Sequence, residues 1–335
     1  MRLQVDVEKW PLKTPFRITG YEWLESAVVV VTLSDAGLSG RGEAAGVYYL
    51  HDDVAAMLAQ IERVRRRVEA GIDRDTLQRA LPAGGARNAL DCALWELDAK
   101  RAGKPVWQLA GLDAPKPMIT AHTVGANPPE VMAAAARTYD EARLIKLKLT
   151  GEGADAERVL AVRQARPDVT LIVDANQGFT RESLLNLLPH LVEARVTLIE
   201  QPFKTGEEAL LDGMRLPIAV GADESAQTLD DIPRLIGRFD VFNIKLDKCG
   251  GLTEALSIAR EARRQGLKLM VGNMTGTSLA MAPGFVVAQL CQIVDLDGPM
   301  FLKSDRHPAV VYHDGAIRCP DDLWGGSAVD GESHQ

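Results

Sequence analysis

Two lysines alternate with aliphatic residues in one short stretch of the chain, Ile145-Lys146-Leu147-Lys148-Leu149. A period of two predicts a β-strand. It places both ammonium groups on one face of the strand and the three aliphatic side chains on the other. On a half-exposed antiparallel strand, two such lysines are usually a solvated face. The chemistry open to them therefore depends on whether this strand has a solvent-facing side at all.

Further ionisable residues end later apolar segments, shortly before turn or loop signals. They are Asp174 in IVDANQG, Glu200 in LIEQP, Asp223 in VGADES, Lys245 in FNIKLD, and Asp295 and Asp297 in VDLDGP. Taken singly, a charged residue at a strand end is usually a solvated loop residue. The regular recurrence of these residues argues against that interpretation. Asp174, Glu200, Asp223 and Lys245 follow one another at intervals of 26, 23 and 22 residues. We therefore expect these groups to converge on one edge of the fold.

The three carboxylates of Asp174, Glu200 and Asp223 would form a site with oxygen ligands only, since no His or Cys stands among them. Such a site suits a hard cation such as Mg²⁺. The lysine pair and Lys245 would approach this cation from opposite sides, which suggests acid/base chemistry on both faces of a substrate. A buried lysine near cations should have its pKa lowered toward the working pH, as a general base requires.

The elements that must position these groups alternate between short strands and helical segments. Helical patterning covers residues such as 154–165, 181–194, 230–238 and 253–266, between eight predicted strands: 118–123, 144–149, 170–175, 197–202, 218–223, 241–247, 267–272 and 292–297. Alternation of this kind favours parallel strands with crossover helices. Eight units in about 180 residues predict a closed (β/α) barrel, whose active sites lie at the carboxyl ends of the strands. Both faces of a barrel strand are covered, so the lysines must lie at this mouth.

The residues before and after these strands follow other patterns. β-Branched runs around the turn signal Ser34-Asp35-Ala36-Gly37 precede helical patterns over 54–70 and 85–103, with Gly103 as a C-cap, which together favour an α+β unit. A second hairpin is expected around His313-Asp314-Gly315 near the C-terminus.

Composition narrows the function classes. The net charge of −8 disfavours nucleic acid or an anionic membrane as the main partner, and the longest apolar run, 27–33, is too short to span a bilayer. The first residues lack the apolar core of a signal peptide. The four cysteines have no CxxC spacing and indicate unpaired thiols in a reducing compartment. We expect a cytoplasmic protein that forms a homo-oligomer.

In combination and in order, the motifs KLK, VDAN, EQP, ADES, NIKLDKCGGL and DLDGP resemble the muconate-lactonizing subgroup of the enolase superfamily. The resemblance covers almost the whole chain and implies an α/β fold, a (β/α)₇β modified TIM barrel with an N-terminal α+β capping domain. The implied domains are 1–112 for the cap, 113–300 for the barrel, and 301–335 for a segment that completes the cap. Within the subgroup, DLDGP and the stretch 81–97 are most similar to dipeptide epimerases, especially L-Ala-D/L-Glu epimerases.

The resemblance implies an isomerase that inverts the α-carbon of the C-terminal residue of a dipeptide by a 1,1-proton transfer. By this resemblance, Asp174, Glu200 and Asp223 bind one Mg²⁺ per subunit, and Lys148 and Lys245 are the acid/base residues. Lys146 binds the substrate carboxylate. Asp295 and Asp297 bind the terminal ammonium group of the dipeptide. The aspartate pair could instead be a second metal site or a solvated turn. An N-acylamino-acid racemase or a cycloisomerase with the same lysines is the alternative function. Thr123, Asn273 and Met274 are further pocket candidates, although Thr123 could be a plain strand-end residue.

The segment 16–26, FRITGYEWLES, departs from the Ala-Glu epimerase pattern, in which an arginine of the capping loop pairs with the substrate glutamate. Gly20 and Trp23 stand where those enzymes carry arginines. Arg17 could substitute as a substrate-binding residue, or it could be a strand-edge surface residue. The aromatic residues of the capping loops could line a pocket for an apolar or aromatic substrate residue, or they could pack the cap onto the barrel: Tyr21, Trp23, Tyr48, Tyr49 and His51.

Overall fold

An antiparallel three-stranded sheet opens the chain. The computed structural model describes residues 1–18 and 21–326, apart from the side chains of residues 17 and 18. The strands, in sheet order, are β1 (Arg2–Ile18), β2 (Tyr21–Asp35) and β3 (Leu38–Ala44). The predicted turn joins β2 to β3 through Ala36 (φ 49°) and Gly37 (φ 83°). Positive φ at both positions is what a two-residue hairpin loop of this kind needs.

Helices α1 (Val54–Glu69) and α3 (Gly85–Ala102) pack against this sheet. Helix α2 (Arg74–Ala80) and the single turn α4 (Val106–Leu109) contact α3. Helix α3 ends at Gly103 in the left-handed conformation, as predicted. It lies very close to β3, since a Cβ atom added to Gly42 would stand 2.1 Å from the carbonyl oxygen of Ala89. Glycine at this position is therefore a packing requirement for the α+β unit.

The central part of the chain forms one parallel sheet of eight strands, preceded by the short strand β4 (Met118–Ile119). The eight strands, in chain order and in sheet order, are β5 (Ala121–Val124), β6 (Leu144–Lys148), β7 (Thr170–Asp174), β8 (Val196–Glu200), β9 (Ala219–Ala222), β10 (Val241–Ile244), β11 (Lys268–Val271) and β12 (Ile293–Val294). The predicted barrel is confirmed. The first predicted strand was too long, because residues 118–119 leave the barrel and pair elsewhere.

The connections that cover the barrel include seven helices. They are α5 (Pro129–Thr138), α6 (Asp155–Ala165), α7 (Arg181–Glu193), α8 (Ile232–Leu235), α9 (Leu246–Cys249), α10 (Leu252–Arg264) and α11 (Ser278–Ala288). The helix predicted over 230–238 is shorter than expected. Its α-helical part is α8, which has Pro233 in its first turn and is followed by Gly237 at φ 80°. In the described part of the chain, no helix has the length and apolarity needed to cross a membrane.

Side chains close the barrel between its first and last strands. The backbone ladder runs from β5 to β12. Across the remaining seam, Leu296 N donates to Thr120 Oγ1 at 2.9 Å, and Thr123 N donates to Asp297 Oδ2 at 2.8 Å. Asp297 is therefore part of the barrel wall as well as of its mouth.

An apolar layer fills the barrel interior below the mouth. It consists of Ala121, Leu144, Ile172, Leu198, Val241 and Met270. Five polar residues stand two positions further along the same strands: Thr123, Lys146, Asp174, Glu200 and Asn243. Because strand side chains alternate between faces, a residue and its second neighbour point the same way. The barrel interior thus has an apolar layer of side chains as its floor. The next layer of side chains along the strands is polar and forms the mouth.

The C-terminal segment contacts both the first sheet and the barrel. Strands β13 (Val311–His313) and β14 (Ala316–Arg318) form the predicted hairpin, and β14 pairs with β4. Leu302 forms an isolated bridge with Leu12 of β1, and Trp324 Nε1 donates to the carbonyl of Arg41 in β3. The domain boundaries 1–112, 113–300 and 301–335 stay a prediction.

Arg306 connects this segment to the other two parts of the chain. Its guanidinium contacts the buried Glu43 of β3 at 2.8 Å, Glu8 of β1 at 2.6 Å and Thr277 Oγ1 before α11 at 2.7 Å. Removing one partner of a buried ion pair leaves the other charge without compensation. We expect Arg306→Leu to lower the free energy of unfolding by about 3 kcal/mol in urea denaturation.

The matched control is Arg264→Leu. Arg264 pairs with Glu261 on the exposed face of α10, and exposed pairs contribute little to stability. We expect no measurable change for this variant. Equal urea midpoints for the two variants would show that the Arg306 network does not hold the segment in place.

Candidate active site

Three ionisable residues lie side by side across neighbouring strands of the mouth. In the strand register, Lys148 of β6 stands beside Asp174 of β7, and Asp174 stands beside Glu200 of β8. Asp223 follows the last residue of β9, and Lys245 follows the last residue of β10. The sequence prediction placed all five residues at strand ends, and the structure brings them together.

The three carboxylates form a compact group. Asp174, Glu200 and Asp223 are buried, and each offers an oxygen within 4.8 Å of the others'. Glu200 Oε2 lies 2.8 Å from Lys146 Nζ, yet it accepts no hydrogen bond of good geometry. A buried all-oxygen set with an unsatisfied carboxylate atom fits a hard divalent cation. These three residues would hold Mg²⁺.

Lysines surround this group from two sides. Lys146 Nζ lies 3.1 Å from Asp174 and 2.9 Å from Asp295, and Lys148 Nζ lies 2.6 Å from Asp174. Lys245 Nζ lies 2.7 Å from Asp223. Strands β6 and β10 are four apart in an eight-stranded barrel, so their carboxyl ends face each other across the mouth. A small molecule above the carboxylates would have an ammonium group on each side.

The ammonium groups and burial set the carboxylate protonation. Burial opposes ionisation of Asp174, but the charges of Lys148 and Lys146 outweigh it and lower its pKa to about 2. Burial raises the pKa of Glu200 to about 7, and the negative charge of Asp174 acts in the same direction. The cluster thus contains two firmly ionised carboxylates, Asp174 and Asp223, beside Glu200, which resists ionisation.

For Lys146 and Lys245, the expected lowering of the pKa does not follow from the protein's own charges. Burial lowers the pKa of Lys245, but Asp223 and Glu200 outweigh it and raise that pKa above its ordinary value. The pKa of Lys146 is also raised against the effect of burial, chiefly by Asp295 and Glu200. The expectation was made for a lysine beside a divalent cation and stays a prediction, while the carboxylates that contact Lys146 and Lys245 act against it. A lower pKa would require a cation that neutralises those carboxylates.

Sequence reasoning missed two polar residues that hold the carboxylates. Lys248 Nζ donates to Asp223 Oδ1 at 2.6 Å and to the carbonyl of Asn243 at 3.0 Å, and Asn243 Nδ2 donates to Glu200 Oε1 at 2.8 Å. Asn243 could have been found, because it lies two residues before Lys245 on the same face. Lys248 lies on the four-residue helix α9, which is too short to show a helical periodicity in the sequence.

Glu224 and Asn176 form a second missed pair beside the carboxylates. Asn176 Nδ2 lies 3.3 Å from Glu224 Oε1, while Asn176 Oδ1 and Glu224 Oε2 are buried without hydrogen-bond partners among the described residues. Burial raises the pKa of Glu224 to about 8, and the charges of Asp223 and Asp174 add to the effect. The motifs VDAN and ADES contained both residues, but only their aspartates were singled out.

The predicted aspartate pair is buried at the barrel seam. Asp295 Oδ2 contacts Lys146, and its Oδ1 has no partner among the described atoms. Asp297 accepts from Thr123 N, and burial together with the charge of Asp295 raises the pKa of Asp297 to about 7. Asn273 Nδ2 donates to the carbonyl of Asp295 at 2.6 Å. Burial of both carboxyl groups rules out the solvated turn considered above.

A cavity of about 430 Å³ lies between the mouth and the first sheet. The predicted residues Lys146, Lys148, Lys245, Thr123, Asn273, Met274, Asp295 and Asp297 all line it. Trp23, Tyr48 and Tyr49 close the cavity on the sheet side, whereas Tyr21 and His51 are not part of its lining. The side chain of Arg17 and residue Gly20 lie outside the described part of the chain, so Arg17 stays a prediction. A larger groove of about 750 Å³ beside Trp95 contains none of the predicted site residues.

Family models match both parts of the chain. Residues 1–111 match "Mandelate racemase / muconate lactonizing enzyme, N-terminal domain", and residues 130–331 match "Enolase C-terminal domain-like". The chain belongs to the enolase superfamily. The predicted resemblance is thereby confirmed, and the carboxylates and lysines described above lie in the barrel domain of this family.

Three similar proteins extend the comparison. The L-Ala-D/L-Glu epimerase of Escherichia coli (strain K12) is 42% identical over 317 residues, which cover 94% of this chain and 98% of that protein. An Agrobacterium tumefaciens enolase family member with homology to dipeptide epimerases, with sodium and L-Ala-L-Glu bound, superposes with a TM-score of 0.93 at 39% identity, covering 96% of this chain and 99% of that one. The dipeptide epimerase of Methylococcus capsulatus, complexed with Mg and L-Arg-D-Lys, superposes with a TM-score of 0.88 at 31% identity. The match covers 95% of this chain and 96% of that one.

Proposed function

We propose that this enolase-superfamily enzyme is a Mg²⁺-dependent dipeptide epimerase that inverts the α-carbon of the C-terminal residue. One observation carries the proposal: Lys148 and Lys245 stand on opposite strands of the mouth, with three clustered carboxylates between them. Inversion by proton transfer needs a base on one face of the carbon and an acid on the other. The similarity to dipeptide epimerases over nearly the full chain supports the same activity.

The roles of the chain's residues follow from their positions. One of the two lysines, Lys148 or Lys245, removes the α-proton, and the other returns a proton to the opposite face. Their roles exchange when the reaction runs in reverse. Lys146 supplies a fixed positive charge near the substrate carboxylate, where negative charge grows as the proton leaves. Mg²⁺ held by Asp174, Glu200 and Asp223 would add positive charge at the same carboxylate.

Asp295 and Asp297 favour a dipeptide over an N-acylated amino acid. Both carboxyl groups line the cavity, and Asp295 Oδ1 is a buried acceptor without a partner among the described residues. A terminal ammonium group would satisfy this acceptor, whereas an N-acyl group carries no such cation. The N-acylamino-acid racemase and cycloisomerase alternatives lack this complementarity.

Proton exchange in D₂O tests the proposal. We expect the enzyme with Mg²⁺ to incorporate deuterium at the C-terminal α-carbon of dipeptides and to interconvert the two diastereomers. N-acetyl amino acids should exchange at least about 100-fold more slowly, because they leave buried carboxyl groups of the site without a cation. Exchange of N-acetyl amino acids without exchange of any dipeptide would contradict the proposal.

Removing one seam carboxylate gives a second test. Because Asp297 would contact the ammonium group, Asp297→Asn should raise KM for dipeptides about tenfold or more, in line with the loss of a charge-assisted hydrogen bond. Steady-state epimerisation kinetics measure the change. An unchanged KM would remove Asp297 from substrate binding. The homo-oligomeric state and the cytoplasmic location stay predictions beside this proposal.

A further inference from the structure

Aromatic side chains from separate segments form one wall of the active-site cavity. The ring centroid of Phe16 in β1 lies 6.3 Å from that of Trp23 in β2 and 4.8 Å from that of Phe301 after β12. The ring of Tyr48 lies 5.0 Å from Trp23 and 5.0 Å from Tyr49. All five side chains line the cavity. We call these five residues the aromatic wall.

A substrate side chain at the reacting carbon has one open direction. Below the carbon lies the apolar floor of the barrel, in which Leu144, Ile172 and Leu198 are packed without space for a ligand. The amino end of the substrate is drawn toward Asp295 and Asp297 at the seam. The remaining direction leads away from the barrel, to the aromatic wall. The wall is therefore the surface that would contact the side chain of the residue that is epimerised.

Three carboxylates line the same cavity as the aromatic wall. They are Asp52, Asp53 and Glu25, and Glu25 pairs with Lys9 at 2.7 Å. Asp52 is 9% exposed, and its Oδ1 has no hydrogen-bond partner among the described atoms. Within the described part of the lining, positive charge comes from the three lysines of the barrel mouth. Among the described residues, an acidic side chain against the wall would gain no cation in exchange for its lost hydration, and it would share the cavity with Asp52 and Asp53.

We propose that the enzyme prefers dipeptides whose C-terminal residue is aromatic or large and aliphatic, and that it discriminates against an acidic residue there. Trp23 is the specificity residue, because it contacts both Phe16 and Tyr48 and so joins the two halves of the wall. Apolar burial against the wall favours the aromatic or large aliphatic residue. The unpaired charge of an acidic side chain disfavours the acidic residue. The inference rests on the proposed epimerase function and extends it to a substrate class.

The experiment compares kcat/KM for L-Ala-L-Phe, L-Ala-L-Leu, L-Ala-L-Ala, L-Ala-L-Glu and L-Ala-L-Lys. Deuterium exchange at the C-terminal α-carbon with Mg²⁺ is the assay. L-Ala-L-Phe and L-Ala-L-Leu should exceed L-Ala-L-Glu by at least about 100-fold. In Trp23→Ala, the ratio of kcat/KM for L-Ala-L-Phe over L-Ala-L-Ala should fall about tenfold, mainly through KM, as expected for lost apolar contact.

Leu24→Ala is the matched control. Leu24 is the next residue of β2, is 67% exposed and is not part of the cavity lining. This variant should keep the wild-type substrate ratio. If Leu24→Ala shifted the ratio as much as Trp23→Ala, the effect would come from a general disturbance of β2, and Trp23 would lose its assigned role.

Three results would overturn the inference. A preference for L-Ala-L-Glu would do so while leaving the epimerase function intact, and its loss in Arg17→Ala would identify the responsible cation. A preference for L-Ala-L-Lys would instead assign Glu25, Asp52 and Asp53 to a cationic side chain. If no dipeptide in the panel exchanges its α-proton, the proposed function fails and the inference falls with it.

Discussion

Replacing Lys245 with alanine should lower the kcat of dipeptide epimerisation by about 10²–10⁴-fold, the usual contribution of a positioned acid or base. The variant should nevertheless retain proton exchange with one of the two diastereomers. Lys148 still stands on its own side of the mouth and can remove and return a proton there. Lys148→Ala should show the opposite selectivity. NMR in D₂O separates exchange from inversion for each diastereomer.

The control is Lys268→Ala. Lys268 is exposed and begins β11, so it lies at the other end of the barrel from the mouth. Its replacement should leave both exchange and inversion unchanged. If Lys148→Ala and Lys245→Ala both lost exchange with the same diastereomer, the two lysines would act from one face, and the inversion mechanism would be wrong.

The second large effect concerns the carboxylates. Glu200→Gln should weaken Mg²⁺ binding at least about 100-fold, since even the loss of a residue that only supports a metal ligand costs 10–100-fold. Glutamine keeps the shape of the side chain, and its Oε1 can still accept from Asn243 Nδ2. The fold should therefore persist while Mg²⁺ affinity and activity fall together. Isothermal titration calorimetry with Mg²⁺ gives the affinity directly.

Glu207→Gln serves as the matched change for this experiment. Glu207 is exposed and follows β8, the strand that ends in Glu200. Its replacement should alter neither Mg²⁺ affinity nor turnover. Wild-type Mg²⁺ affinity in Glu200→Gln would show that the cation is held elsewhere, and the proposed ligand set would have to be withdrawn.

The barrel and the convergence of the charged groups could be predicted because both follow from local periodicity. The alternation at 145–149 fixes which residues share a face, and parallel strands bring their carboxyl ends to one mouth. The structure agrees: Ile145, Leu147 and Leu149 belong to the core outside the barrel, and both lysines face inward. Once β6 and β7 pair as parallel strands, their register places Lys148 beside Asp174.

The rest of the site depends on contacts between distant segments, which periodicity does not encode. Lys248 supports Asp223 from a four-residue helix, and Phe301 meets Phe16 from the other end of the chain. The pKa values of Lys146 and Lys245 also depend on such contacts, because the carboxylates that approach each lysine raise its pKa. The predicted helix at 230–238 was too long, since its pattern gave too little weight to Pro233 and Gly237.

The barrel seam gives the two halves of the substrate site different freedom to change during evolution. Asp297 faces the predicted ammonium position and also bonds to Thr123 across the gap between β12 and β5. A lineage that abandons substrates with a free amino terminus and replaces Asp297 would lose one of the two hydrogen bonds described across this seam. Trp23 and Tyr48 form no hydrogen bond across the seam in the described part of the chain, because they belong to the capping segments. Substitutions at the aromatic wall could therefore change the proposed side-chain preference while the predicted site for the amino terminus stays the same.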